Sequence, residues 1–274
     1  MTEVDKLKKE QPIGVFDSGL GGLTVVKSLI EQMPDEDIIY FGDTARVPYG
    51  SRSSETIQTY ACQDVEFLLQ YQVKAVVIAC NTADSMARTL IEERYDLPVV
   101  GVVGPAAQKA VAQTANGKIG VIGTKATVNS GAYEKAVKAI DPFMRVFSRA
   151  CPLLVPLVEN GRFQRNDKVV RIILDEYLEP LHRENIDTLV LGCTHYPLLK
   201  EAVQACLPDV NIISSGEAST DTLRELLTRH NLLNDTKERG EHRYFVSDDA
   251  ATFTENAEIF LGRSLDGAVQ CITL

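Results

Sequence analysis

Two cysteines occupy matching positions in the two halves of the sequence, and both could transfer protons. Cys80 follows the apolar run 75–79, and Cys193 follows the similar run 188–192. Short apolar, β-branched runs are typical of buried parallel strands, and open α/β sheets bind ligands at the carboxyl ends of such strands. Two thiols that face one small molecule could remove a proton from one side of it and return a proton to the other.

Polar residues that could bind a carboxylate follow each cysteine directly. Asn81 and Thr82 follow the first cysteine, whereas Thr194 and His195 follow the second. In extended geometry His195 points to the same side as the cysteine two residues before it, and it could relay protons. We expect each thiol to lie near a helix N-terminus, which lowers a thiol pKa from about 8.5 toward neutrality. A single buried cysteine is more often an inert core residue, so the functional interpretation depends on the matched contexts.

The segment 17–24 is a glycine-rich connection from an apolar run to an amphipathic one, and it reads Asp-Ser-Gly-Leu-Gly-Gly-Leu-Thr. Glycines there allow the backbone to approach a ligand, and a helix N-terminus favours an anion. The spacing matches neither the dinucleotide fingerprint nor the P-loop, and Asp17 would repel a phosphate. We therefore expect the carboxylate of a small ligand here, with Asp17 facing a cation such as an ammonium or imidazolium group. A tight turn without a ligand is the alternative.

Two further segments have a functional and a purely structural interpretation. The tripeptide 48–50, which contains Tyr49 and Gly50, lies in a polar turn where a substrate contact or a lid could lie, or it is only a turn. Glu159 ends the apolar stretch 151–158. It could lie in a cleft and hold a charge on His195, or it could be an ordinary loop carboxylate.

Composition excludes several classes of function. The 274 residues carry a net charge of −10, which argues against nucleic-acid partners because phosphate contacts need clustered Lys and Arg. No apolar stretch reaches membrane-spanning length, and the charged residues 1–11 lack the apolar core of a signal peptide. We therefore expect a cytoplasmic protein with six reduced cysteines. The sequence contains no Cys-x-x-Cys pair and its four histidines are scattered, so we expect no metal site.

The elements that must position these residues form a repeated pattern. Strand-like runs alternate with helix-like runs, which is typical of α/β folds, and the run 119–122 resembles the run 13–16. We predict two pseudo-symmetric α/β domains with mainly parallel sheets around a central cleft. The first domain is expected to comprise residues 1–105 plus 209–274, and the second residues 106–208, because the second repeat closes near the helix after Cys193.

Taken together, these segments resemble the glutamate racemases of the cofactor-independent aspartate/glutamate racemase superfamily. The matching segments, in order, are 16–25, 48–50, 79–83, 123–128, 151–159 and 191–199. The resemblance implies interconversion of L- and D-glutamate without a cofactor, in a homodimer that supplies D-glutamate for peptidoglycan in a bacterial cytoplasm. An aspartate or other amino-acid racemase of the superfamily is the alternative enzyme, and a non-catalytic two-lobed binding protein is the alternative class.

The resemblance also assigns roles to residues. It implies that Cys80 and Cys193 are the acid/base pair, assisted by Asp17, His195 and Glu159. The substrate-binding positions that it implies are Asp17, Ser18, Tyr49, Gly50, Asn81, Thr82, Thr127, Thr194 and His195. One departure is Ser214, where family members often have an aspartate, and it puts a local contact in doubt.

Overall fold

The computed structural model describes residues 7–236 and 238–274. Ten strands form two sheets, and every strand pair is parallel. The larger sheet has the order β10-β9-β2-β1-β3-β4. Its strands are β1 (Ile13–Asp17), β2 (Ile38–Gly42), β3 (Ala75–Ile78), β4 (Val99–Val100), β9 (His242–Val246) and β10 (Val269–Cys271). The smaller sheet has the order β6-β5-β7-β8. Its strands are β5 (Lys118–Gly123), β6 (Arg145–Ala150), β7 (Thr188–Gly192) and β8 (Asn211–Ser214).

Helices connect the strands, as parallel pairing requires. They are α1 (Leu23–Gln32), α2 (Ser54–Leu69), α3 (Asn81–Arg94), α4 (Val103–Gln113), α5 (Lys125–Ser130), α6 (Ala132–Ile140), α7 (Leu154–Glu159), α8 (Lys168–Arg183), α9 (Lys200–Cys206), α10 (Ser215–Arg229) and α11 (Ala250–Leu261). The predicted α/β class with parallel sheets is therefore confirmed.

The two sheets repeat the same local arrangement around the two cysteines. Strand β1 pairs with β2 and β3 on its two sides, and β5 pairs with β6 and β7. Residues of β1, β3, β5 and β7 are buried almost throughout, since helices cover both faces of each sheet. Cys80 follows β3 and Cys193 follows β7, so the two thiols occupy equivalent positions in the two sheets.

The segment after residue 208 is shared between the two sheets, which differs from the prediction. Strand β8 pairs with β7 in the smaller sheet, so its expected return to the first domain was wrong. Helix α9 carries the chain from β7 back to the same edge of the sheet, and this β-α-β connection buries Ile213 there. After β8, the chain returns to the larger sheet at β9, which pairs with β2, and at β10, which pairs with β9. The two-domain division itself stays a prediction.

Helix α10 connects the two halves after β8. It packs against α4 and α1, which cover different sheets. Ser214 is its N-cap, and the Ser214 side chain accepts a hydrogen bond from the Glu217 backbone N–H at 3.5 Å. Serine and aspartate are both favoured at this position, so the departure at Ser214 keeps the capping role.

Candidate active site

A cavity of about 450 Å³ lies where the carboxyl ends of the two sheets meet. This volume is within the range of small-molecule sites. The residues that line it are Ser18, Gly19, Val47, Pro48, Tyr49, Gly50, Ser51, Cys80, Asn81, Thr82, Thr124, Lys125, Pro152, Val155, Pro156, Glu159, Cys193, Thr194, His195 and Tyr196.

Both matched cysteines line this cavity, one from each sheet. Cys80 is the N-cap residue of α3, and Cys193 follows β7 directly. Each is only 6% exposed. The Cys80 Sγ lies 3.8 Å from the Ser18 Oγ, and the Cys193 Sγ lies 3.9 Å from the His195 Nδ1. The sequence prediction that two thiols face one small cavity therefore agrees with the geometry.

The environment of Cys80 differs from the expectation of a lowered pKa. Burial raises the pKa of the Cys80 thiol, and the nearby Asp17 carboxylate raises it further. Hydrogen bonds from the Ala83 backbone N–H and from Ser18 oppose this effect but do not overcome it. The expected lowering was wrong because desolvation outweighs the helix N-terminus at this thiol.

His195 lies between a thiol and a carboxylate. Its Nδ1 faces Cys193, and its Nε2 lies 3.1 Å from the Glu159 Oε1. Burial disfavours the charged imidazolium, but the hydrogen bonds to Cys193 and Glu159 outweigh burial and raise the pKa of His195 to about 10. Glu159 thus lies in the cleft and supports the charge of His195, which is the first of its two predicted interpretations.

Asp17 lies behind the cavity wall. Its Oδ2 accepts hydrogen bonds from the backbone N–H groups of Gly19 and Gly22, each at 3.0 Å, and its Oδ1 accepts one from the Thr194 Oγ1 at 3.4 Å. The side chain is fully buried and is absent from the residues that line the cavity. Burial raises the pKa of Asp17, whereas the charge of His195 lowers it. Asp17 therefore shapes the glycine-rich loop and orients Thr194, and its direct contact with a ligand stays a prediction.

Thr127, an expected substrate-binding position, lies next to the cavity lining and not on it. It is 1% exposed and lies behind the cavity wall, whereas Thr124 lines the cavity. The Thr124 Oγ1 lies 3.0 Å from both the Thr82 Oγ1 and the Thr127 Oγ1, so the three hydroxyls form a cluster between the halves. The sequence carried a signal for Thr124, because it follows β5 as Ser18 follows β1.

Tyr133 supports a cavity residue from behind the wall, and the sequence analysis missed it. Its hydroxyl donates to the Asn81 Oδ1 at 2.6 Å, and the Asn81 Nδ2 donates to the Ser215 Oγ at 3.2 Å. These contacts fix the orientation of the Asn81 amide at the cavity wall. Tyr133 lies in α6, which no motif marks, so its role depends on tertiary packing alone.

The remaining predicted positions border the cavity directly. They are Ser18, Tyr49, Gly50, Thr82, Thr194 and His195. Within the described part of the chain, no group of three or more His, Cys, Asp or Glu side chains is arranged to hold a metal ion. No described helix combines the length and the apolar character needed to cross a membrane.

Comparison with known proteins shows the family. A family model described as Asp/Glu/Hydantoin racemase matches residues 13–223. The glutamate racemase of Syntrophus aciditrophicus (strain SB) is 51% identical over 257 residues, which cover 93% of this chain and 94% of that relative.

Solved structures agree over nearly the whole chain. The glutamate racemase isoform RacE1 from Bacillus anthracis superposes with a TM-score of 0.93 at 43% identity, covering 97% of this chain and 98% of that one. The glutamate racemase from Francisella tularensis subsp. tularensis SCHU S4, solved in complex with D-glutamate, gives a TM-score of 0.89 at 39% identity, with the same coverage. The chain therefore belongs to the Asp/Glu/Hydantoin racemase family and, within it, to the glutamate racemases.

Proposed function

We propose that this protein interconverts L- and D-glutamate by moving the α-proton between the substrate and two cysteines, Cys80 and Cys193, without a cofactor. The observation that carries the proposal is the position of the two thiols, which line one small cavity from equivalent strand ends of different sheets. The glutamate racemases at high identity support glutamate as the substrate, and the Francisella relative binds D-glutamate.

In the L-to-D direction, the Cys193 thiolate accepts the α-proton, and the electron pair of the broken C–H bond stays on the α-carbon. The Cys80 thiol then gives its proton to the opposite face of that carbon, so Cys193 ends as a thiol and Cys80 as a thiolate. The reverse direction begins from the Cys80 thiolate. This assignment of each cysteine to one enantiomer follows the family resemblance.

The electrostatic environment suits this division of roles. The raised pKa of His195, about 10, keeps a positive charge on the imidazole ring, whose Nδ1 lies 3.9 Å from the Cys193 Sγ. Burial and Asp17 favour the thiol form of Cys80, which is the proton donor in this direction.

The cavity also supplies donors for the charge that develops during the reaction. Without an electron sink, the negative charge spreads from the α-carbon into the α-carboxylate, and oriented donors stabilise it. Side chains that can donate hydrogen bonds surround the cavity: Ser18, Asn81, Thr82 and Thr124. Burial of the site strengthens these interactions.

Two properties of the proposal concern the cell. As the resemblance implies, the D-glutamate would serve peptidoglycan synthesis in a bacterial cytoplasm. The protein is expected to be a homodimer, which sedimentation analysis of the purified chain tests.

Serine variants of the cysteines test the mechanism. Racemisation in both directions is expected to fall by at least about 10²-fold in Cys80→Ser and in Cys193→Ser, because each direction needs both groups. The assay follows the optical activity of L- and D-glutamate, and deuterium incorporation at the α-carbon in D2O, with L-aspartate as the competing substrate. Cys62→Ser is the control, because Cys62 is buried in α2 and lies outside this cavity. A serine variant that keeps more than a tenth of the parent rate would refute the two-base assignment, and faster turnover of aspartate would refute the substrate assignment.

A further inference from the structure

A cluster of buried charged and polar groups lies behind one wall of the cavity. It consists of Asp43 at the end of β2, Arg46 and Tyr49 in the loop that follows, and Asp64 in α2, and we refer to it as the carboxyl cluster. Both carboxyl side chains are fully buried, and Arg46 is the positively charged partner of both. The mechanism above does not use these groups.

The loop held by this cluster forms a continuous part of the cavity wall. Residues 47–51 all line the cavity. At Gly50 the loop meets the other half of the molecule, where an added Cβ would lie 3.1 Å from the Thr124 Cβ. The position of Tyr49 therefore sets the shape of the cavity on this side.

The hydrogen bonds of Tyr49 leave one hydrogen atom unaccounted for. The Tyr49 hydroxyl is hydrogen-bonded to the Asp43 Oδ2 and also lies 3.0 Å from the Asp64 Oδ2. A tyrosine hydroxyl carries one hydrogen and an ionised carboxylate carries none, so the two contacts together need a second hydrogen. The phenol itself stays neutral, because burial and the two carboxyl groups raise the pKa of Tyr49.

The other contacts distinguish the two carboxyl groups. Asp43 accepts from the Arg46 Nε at 2.6 Å and from the Ser247 Oγ at 2.8 Å, as well as from Tyr49. Apart from the Tyr49 hydroxyl, the donor to Asp64 among the described residues is the Arg46 Nη2, which lies 2.9 Å from the Asp64 Oδ1. Asp43 thus has the donors that stabilise a carboxylate, whereas the Asp64 Oδ2 faces only an oxygen whose hydrogen is already given to Asp43.

We propose that Asp64 is protonated in the folded protein and donates its hydrogen to Tyr49, and that this neutral carboxyl group is a positioning residue for the cavity wall. The chain of hydrogen bonds then runs from Asp64 through Tyr49 to Asp43, with every hydrogen assigned. Arg46 and Asp43 balance each other, so the cluster has no net charge. Two carboxylates with one arginine would instead leave an uncompensated negative charge in the interior, which is costly.

The surroundings of the cluster support the neutral form. Burial raises the pKa of Asp64 well above its usual range, and the charges of Asp43 and Asp17 raise it further, whereas Arg46 and the contact with the Tyr49 hydroxyl oppose them without overcoming burial. Arg46 itself is fixed by stacking over the Tyr60 ring at 4.1 Å. The guanidinium group is therefore held where it donates hydrogen bonds to the Asp43 Oδ2 and the Asp64 Oδ1.

Infrared spectroscopy tests the proton directly. The difference spectrum between the parent protein and Asp64→Asn at neutral pH is expected to show the carbonyl band of one protonated carboxylic acid, with a small shift in D2O. Loss of a carboxylate band instead would overturn the proposal. This measurement needs no substrate, so its outcome is independent of the proposed function on which the kinetic test depends.

Kinetics test the positioning role. Asparagine reproduces the hydrogen-bonding pattern of a protonated aspartate, so Asp64→Asn is expected to keep KM and kcat within about threefold of the parent. Asp64→Leu removes both hydrogen bonds, and Asp43→Asn removes the only carboxylate beside Arg46, so each is expected to raise KM for glutamate at least about tenfold. Their kcat is expected to fall less, because neither touches the cysteines. Asp175→Asn, at an exposed surface pair with Arg171, is the control.

The comparison between the variants decides the outcome. If Asp64→Asn raises KM as much as Asp43→Asn, the two carboxyl groups are equivalent and the proposal is wrong. If all variants lower only the thermal midpoint and leave KM unchanged, the cluster has no positioning role. Absence of racemisation in the parent would refute the proposed function, and the infrared measurement would then decide the protonation of Asp64 by itself.

Discussion

Gly21 is the position in the glycine-rich loop where a side chain would disturb the site most directly. An added Cβ there would lie 2.2 Å from the Thr194 Oγ1 and 2.5 Å from the His195 Nδ1. The backbone of Gly21 is not in the left-handed region, so the requirement for glycine comes from close approach and not from backbone strain. We therefore predict that Gly21→Ala damages catalysis more than it damages folding.

The size of the effect follows from these distances. Thr194 and His195 must each move by about 1 Å to reach ordinary contact distance, and a shift of that size can reduce catalysis about 10²-fold. Overpacking of this kind costs about 1–3 kcal/mol of folding free energy. For a chain of this size, that cost corresponds to roughly 2–4 °C of thermal midpoint per kcal/mol, so the variant stays folded at 25 °C.

The assay compares kcat/KM for both enantiomers with the thermal midpoint of the same preparation. Gly104→Ala is the matched control, because Gly104 lies in the first turn of α4 and the nearest atom to an added Cβ is the Arg88 Nη1 at 3.8 Å. That control is expected to keep full activity and to gain up to about 1 kcal/mol of stability from helix propensity. If Gly21→Ala keeps more than a third of the parent kcat/KM, the inferred close contact between Gly21 and the residues Thr194 and His195 is wrong.

Two other substitutions test the electrostatics. Glu159→Gln removes the carboxylate 3.1 Å from the His195 Nε2, so the pKa of His195 should fall below its value of about 10, and the alkaline limb of kcat/KM should move to lower pH. Because the pKa of His195 is raised on folding, its contribution to stability is present below about pH 6.5 and is lost as the pH rises toward 10. If the alkaline limb of kcat/KM in Glu159→Gln does not move, Glu159 is not a cause of the raised pKa of His195. The Lys74 Nζ lies 2.5 Å from the buried Glu36 Oε2, so Lys74→Met leaves the Glu36 carboxylate without its charged partner. The free energy of unfolding, measured in urea, should fall by about 3–5 kcal/mol, and a fall below about 1 kcal/mol would contradict this.

The sequence predicted the parts of the fold that depend on local pattern. Apolar β-branched runs predicted β1, β3, β5 and β7, and the alternation of helices predicted their parallel pairing. The assignment of β8 failed, because the choice of sheet for a short strand depends on which exposed edge is available after folding. No local residue pattern around 211–214 records that choice.

The same limit explains where the candidate site departs from the motif positions. Motifs place Asp17 and Thr127 in the right loops, yet both side chains turn behind the cavity wall. A motif fixes the position along the chain, but whether a side chain lines a cavity depends on packing between elements. Tyr133 and the carboxyl cluster were missed for the same reason, since their members lie on different elements and meet only in the folded protein.

The two halves of the site are equivalent in topology and unequal in chemistry. Cys80 follows β3, which pairs with β1, and Cys193 follows β7, which pairs with β5, so the repeat places both thiols on the wall of one cavity. The surroundings then differ: Cys80 is buried near Asp17, whereas Cys193 faces His195 and, beyond it, Glu159. A two-base reaction needs one thiol and one thiolate at the same time. Two identical environments would favour the same form of both sulfurs, so the asymmetry around the repeated thiols supports the proposed two-base reaction.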